Sequence, residues 1–249
     1  NIIITQGKSK AIDLNDDMII EGDEFTYNKS LNTINAKKKV IIEDKIKNYK
    51  LLSEDITYLR NQEKIFTKGK TQALINSKYD FVSKDVVFLK KSMQLSSNQD
   101  TRIIDSNKQL YNLSNFVFSI DKEELKAEKI LITTNYNLPK SDKYFFSSGI
   151  FNLKEKKYIA KNTKIELHKD IFDDSENDPR LSGVSSSHEN DITTINKGIF
   201  TSCKKNDTCP PWSVKADKII HNKTKKQLIY ENAFLRLYDI PIFYLPKFF

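Results

Sequence analysis

The feature that most constrains this chain is a phrase that recurs along it: an apolar pair two residues apart, a polar turn, a second pair, another turn and a third pair. The clearest copy sets Phe25 and Tyr27, then Ile34 and Ala36, then Val40 and Ile42, separated by Asn28-Lys29-Ser30 and Lys37-Lys38-Lys39. Further copies begin at Ile56/Tyr58, Val86/Phe88, Phe118/Ile120, Phe151/Leu153 and Ile219/His221. The period is about 30 residues, with a gap of about two units before the last copy. A spacing of two puts side chains on one face of a strand. Each unit therefore reads as two or three short strands whose apolar face a single unit cannot bury and a stack of units buries together.

Helical periodicity fails, because polar turns chop the apolar positions into pieces of roughly four to six residues, too short to repay helix nucleation. The paired slots hold β-branched and aromatic residues, as strands prefer. Glu24, Thr26 and Asn28 oppose Phe25 and Tyr27, so one face is polar and the other dry. Ile41, Val87 and Val117 break the alternation. The expected fold is all-β. A sheet-over-sheet stack resembling a jellyroll is favoured over a parallel solenoid, since the turns are irregular and the units lack tight side-chain ladders.

With 249 residues, 38% hydrophobic and 30% charged, the chain is polar for its size. Its apolar residues nonetheless sit at alternating positions, which argues against disorder. The uniform repeat predicts one elongated domain rather than two globules. Only the polar, turn-rich stretch from Asp173 to about Asp191 interrupts it, expected as a long loop with one degenerate strand near Val184. No run of about 18 apolar residues is present to span a membrane as a helix. Both ends look cut. Ile3, Thr5, Gly7, Ser9 and Ala11 align with Ile65, Thr67, Gly69, Thr71 and Ala73, the second half of a later unit, and the chain stops on an apolar run from Ile240 to Phe249. An array cut in mid-repeat has strand edges that need covering or pairing, with more of itself or with a partner.

One segment is not repetitive: Phe200-Thr201-Ser202-Cys203, then Cys209, then Trp212-Ser213-Val214, Ile220-His221, and Pro241-x-Phe243-Tyr244-x-Pro246. In this order the motifs resemble the periplasmic N-terminal (OstA-like) domain of the LptD family, the outer-membrane lipopolysaccharide-assembly proteins, just before their transmembrane barrel. The repeats from 1 to about 170 match the broader OstA-like pattern. The resemblance implies a twisted, partly open β-jellyroll. Its parts would be OstA-like repeats over 1–172, a loop insertion with the cysteines over 173–211, and a last repeat over 212–249 leading into a missing barrel. It implies no cofactor and no enzymatic activity. The implied role is to receive lipopolysaccharide on the periplasmic side of the outer membrane and pass it along an apolar groove to the barrel. The implied partners are lipopolysaccharide, an OstA-like bridge protein joined by edge-strand pairing, the C-terminal barrel and its plug lipoprotein. Disulfides join this domain to the barrel's C-terminal region in the family; Cys203 matches a family cysteine and Cys209 matches none. A local bridge between Cys203 and Cys209 is the alternative for an oxidising compartment, and a zinc site lacks ligands because the histidines are scattered.

Transport of this kind needs no catalytic group, only burial of acyl chains at roughly 0.8 kcal/mol per methylene. The candidate groove residues are the first- and last-pair slots: Phe25, Tyr27, Val40, Ile42, Ile56, Tyr58, Val86, Phe88, Phe118, Ile120, Ile130, Ile132, Phe151 and Leu153. The plainer alternative for each is closed core. Lys45, Lys47, Lys90 and Lys91 could form a cationic rim, although a net charge of +8 is equally served by solvated lysines. A nucleic-acid binder would use the basic charge and tyrosines. Tyr49, Tyr79, Tyr111 and Tyr144 recur near unit ends, however, as packing residues would, and no nucleic-acid partner is expected. A carbohydrate-active enzyme would need paired carboxylates on one face, whereas Asp121, Glu123, Glu124, Asp173 and Asp174 sit in turns. A purely architectural β-repeat scaffold without a ligand remains the third reading.

Overall fold

The computed structural model describes residues 1–13, 17–169, 177–205, 210–222, 224–225 and 227–249. The protein is all-β. Where the uniform repeat predicted one elongated domain, the chain divides into two compact units, Asn1–Leu125 and Lys126–Phe249. The repeat runs through that point without a change of composition, so the sequence carries no mark of it.

In the first unit β1 (Ile2–Asp13), β2 (Met18–Asn28), β3 (Thr33–Asp44), β4 (Tyr49–Leu59) and β5 (Lys64–Ile75) form an antiparallel meander, each strand paired with the next. The far edge of β5 carries two shorter strands end to end, β6 (Tyr79–Lys84) on Lys70–Ile75 and β7 (Val87–Leu89) on Lys64–Phe66. Next come β8 (Gln94–Ser97) on β7 and β9 (Thr101–Asp105) on β6, and β10 (Leu110–Ser119) pairs with both. The six short pairings close a ring because the two repeat strands between β5 and β10 are each broken at the middle, into β7 with β6 and β8 with β9. β11 (Glu124–Thr133) follows.

That break is the organising feature of the fold. The pairing register slips between Gln6 and Ser9 in β1, Glu21 and Glu24 in β2, Lys37 and Val40 in β3, and Ser53 and Asp55 in β4. Left-handed residues mark the same column: Gly7 (φ 86), Lys38 (φ 62), Lys39 (φ 52), Gly69 (φ 80), Asp85 (φ 49) and Asn115 (φ 48). A bulge bends its strand and resets which residues face inward. In β4 the buried side chains run Tyr49, Leu51, Ser53, then Ile56, Tyr58. Lys37-Lys38-Lys39, expected as a turn, is therefore a bend inside a single strand of 12 residues, because a left-handed residue redirects a ladder without ending it.

The bend folds the sheet over on itself. Tyr49 begins β4, whereas Phe88 lies opposite Ile65, the partner of Tyr58 near the other end of that strand. Along a straight strand those positions would stand about 30 Å apart, yet the Tyr49 and Phe88 rings meet edge-on at 4.8 Å. Tyr79 meets Phe118 at 5.6 Å and Phe81 meets Phe118 at 5.1 Å in the same way. Each long strand of the first unit thus contributes to two facing layers joined at the column of bulges, and β6 to β9 contribute to one each.

The second unit repeats the plan with β12 (Lys143–Asn152), β13 (Lys157–Glu166), β14 (Arg180–Glu189), β15 (Ile192–Thr201), β16 (Trp212–Asn222), β17 (Gln227–Leu237) and β18 (Ile240–Phe248), each paired antiparallel with the next. Asn162 (φ 50), Lys197 (φ 49) and Asn232 (φ 53) mark its bends. Every pairing in the two meanders is antiparallel, unlike those of a parallel solenoid. Much of the 173–211 stretch, expected as a loop insertion, is the β14–β15 hairpin instead. Its serines conceal the strand: Ser186 is buried because it shares a 2.7 Å hydrogen bond with Thr163. Gly183 sits so close to Ile195 that an added Cβ would lie 2.3 Å from a methyl carbon. Small residues are required where the layers approach most closely. Part of the expected loop, and the expected boundary near 172, lie outside the described residues.

Candidate functional site

The alternation places the groove candidates on the inner face, where most are closed in. Val40, Ile42, Ile56, Val86, Phe88, Phe118, Ile120, Ile130, Ile132 and Phe151 are buried, and Leu153 is half-buried. Phe81, Phe116 and Phe118 fill the space between the layers of the first unit, Phe81 and Phe116 at 5.6 Å. In the second unit Phe146 packs on Phe151 at 5.7 Å and on Tyr158 at 5.3 Å.

At the β1 end of the first unit the layers do not close. A cavity of about 300 Å³ lies there, lined by Ile3, Thr5 and Ser9 to Asp13 of β1, Met18, Ile20, Phe25 and Tyr27 of β2, and Ile34, Tyr58 and Arg60. Only Phe25, Tyr27 and Tyr58 of the fourteen candidates border it. β1 turns Thr5, Ser9 and Ala11 toward the space and brings no ring to fill it; the matching Thr67, Thr71 and Ala73 of β5 are buried, because β5 is paired along both edges. The part of β1 beyond the cavity is exposed, with Ile2 61% and Ile4 66% accessible, and among the described residues its pairing is with β2. At the opposite end of the chain β18 pairs with β17 and is interrupted by Pro241 and Pro246, which remove ladder donors and blunt an edge.

Two polar contacts bridge the lips of the folded sheet in the first unit. At the cavity the Arg60 Nη2 stands 4.0 Å from Asp13 Oδ2, and Arg60 Nη1 donates to Asn32 Oδ1 at 3.2 Å and to Tyr27 Oη at 3.4 Å. Beside them Lys90, expected on a rim, is buried, with Nζ 3.4 Å from Tyr58 Oη and 5.6 Å from its ring centre. Burial raises the Tyr58 hydroxyl pKa, opposed by the Lys90 charge, so Tyr58 stays neutral. Lys45, Lys47 and Lys91 are exposed.

Away from the cavity the lips are clasped. Glu123 accepts from Tyr79 Oη at 2.6 Å, Lys78 Nζ at 3.1 Å and Asn76 Nδ2 at 3.4 Å. Burial opposes ionisation of Glu123, but the hydrogen bonds from Tyr79 and Lys78, the Lys78 charge and the Asn76 amide outweigh it, and its pKa is lowered. Burial and that same bond hold the Tyr79 hydroxyl far above its ordinary value. Sequence reading placed Glu123 in a solvated turn; its signal was one turn of the fold away, in the tyrosine that recurs at unit ends.

The remaining expectations fall on ordinary positions. Tyr49, Tyr79, Tyr111 and Tyr144 are buried packing residues. Ile41 and Val87 are half-buried and Val117 is 38% exposed, all on the outer face. Cys203 is a half-buried free thiol whose Sγ lies 3.6 Å from the Trp212 carbonyl oxygen; Cys209 lies outside the described residues. Among the described residues no cluster of His, Cys, Asp and Glu gathers to hold a metal ion. No protein-family model and no curated protein matches this chain.

Proposed function

We propose that this chain is the OstA-like, periplasmic part of an outer-membrane lipopolysaccharide-assembly protein: it takes up lipopolysaccharide and passes it toward a barrel that inserts it in the outer leaflet. The observation that carries the reading is the cavity at the β1 end, an apolar space between the inner faces of two bent layers, beside an exposed strand. Acyl chains held there by burial are held firmly and without direction, which lets them slide. On this reading β1 receives an OstA-like bridge protein by edge pairing, the barrel and its plug lipoprotein are further partners, and the site of action is the periplasmic side of the outer membrane. No catalytic group takes part.

Photo-crosslinking in cells that make lipopolysaccharide tests this. A photoreactive residue at Phe25 or Tyr58 gives a lipid-shifted band, whereas Lys38 on the outer surface and Phe118 in the packed interior give none. Absence of adducts at Phe25 and Tyr58 in a folded protein would replace transport with a docking scaffold, a reading favoured by the tight aromatic packing around Phe118.

A further inference from the structure

The cavity's lip has a chemistry that its apolar floor does not explain. Met18, Ile20, Phe25 and Ile34 supply a surface suited to an alkyl chain. Asp13 and Arg60 border the same space, and Lys90 Nζ stands 3.4 Å from the Tyr58 hydroxyl beside it. Arg60 is held in place by neutral partners, Asn32 and Tyr27. Its other nitrogen reaches Asp13 only at 4.0 Å, the outer limit of an ion pair. A positioned guanidinium fork facing a distant carboxylate above a greasy pocket is built to trade one anion for another, and the fork fits two phosphate oxygens at once.

Resting on the transport reading above, we infer that Arg60 is an anion-exchange site: when the cavity is empty it faces Asp13, and when an amphiphile's alkyl chain enters, Arg60 takes that molecule's phosphate monoester in place of Asp13. The occupant is an anionic, phosphate-bearing amphiphile, not free phosphate. Asp13 competes for the guanidinium and so lowers affinity for the anionic ligand. Lys90, buried beside Tyr58, adds positive potential at the lip.

Calorimetric titration of the full chain with dodecyl phosphate, the neutral dodecyl maltoside and inorganic phosphate, each below micelle formation, tests the proposal. Arg60→Gln is expected to weaken dodecyl phosphate about tenfold, the worth of one charge-assisted contact, and to leave dodecyl maltoside unchanged. Asp13→Asn is expected to tighten dodecyl phosphate severalfold. This second variant removes a competitor and decides the matter even if Arg60→Gln fails to fold. Inorganic phosphate alone is expected to give no binding heat. Equal losses for both amphiphiles in Arg60→Gln, weaker dodecyl phosphate binding in Asp13→Asn, or inorganic phosphate binding as tightly as dodecyl phosphate would each overturn the exchange site while leaving the groove standing. If neither amphiphile binds the unaltered chain, the groove reading falls and the exchange site with it.

Discussion

Within the first unit the same sheet, bent at the same column of bulges, makes a closed core around Phe81, Phe116 and Phe118 and an open cavity beside β1. Both regions use the same inner face with the same alternation. The difference lies in what covers the face: where the rings of β6 and β10 fill the space, Thr67, Thr71 and Ala73 of β5 are buried, whereas the matching Thr5, Ser9 and Ala11 of β1 border the cavity. Alternation therefore selects a face, and the strands laid against it decide whether that face becomes core or container.

The sharpest way to break this comparison is to treat the two regions alike. Phe118→Ala removes a ring with no accessible surface and is expected to cost about 3–5 kcal/mol; Phe25→Ala at the cavity wall should cost clearly less, because one side of that ring already faces open space. Equal losses in denaturant melts would erase the distinction. Next in size, Glu123→Ala leaves Tyr79 and its neighbours without their acceptor and should cost about 1–3 kcal/mol. Because the folded-state pKa of Glu123 is depressed below its ordinary 4.5, its contribution is complete above that value and is lost as pH falls through the folded pKa. The acid-induced drop in melting temperature should accordingly be shallower in Glu123→Gln than in the parent. Smaller again, Gly69→Ala forces a side chain into a left-handed bend at φ 80 and should cost about 1 kcal/mol, although open space surrounds the site. Least disturbing to stability, Ala11→Phe fills the cavity from β1. It should change the melting free energy by no more than about 0.5 kcal/mol while abolishing lipid adducts at Tyr58.

The parts of the fold set by local chemistry were legible from residues. Phe25, Ile42, Phe88 and Phe118 announced an inner face by spacing alone, and Gly7 and Gly69, matched in sequence only as repeat register, fall on two equivalent left-handed bends. Three things were not legible, each for a physical reason. Lys38 and Lys39 take the backbone angles of a turn while remaining inside a ladder, and residue type does not separate the two. β14 is paired through small and hydroxyl residues, Gly183 and Ser186 among them, which lack strand propensity and gain their place only by fitting beneath Ile195 and against Thr163. The cavity, the buried Lys90 and the Glu123 clasp depend on residues far apart along the strands meeting across the fold, and no local pattern encodes that meeting. Of the candidate groove, the sequence supplied its wall through Phe25, Tyr27 and Tyr58, but not its charged lip.

The column of bulges also works as the spine of a book. Because each page is stitched by ladder hydrogen bonds that run across the strands, parting the pages asks only for small rotations at one bulged position per strand, and the stitching stays whole. Resistance to opening comes from the rings packed between the pages and, at the fore-edge, from Glu123 at one point and the Asp13–Arg60 pair at another, where single substitutions can loosen or tighten the volume without rewriting it. Amide exchange in Glu123→Ala should show this directly, with ladder amides on both sides of the spine as protected as before and only the lips exchanging faster.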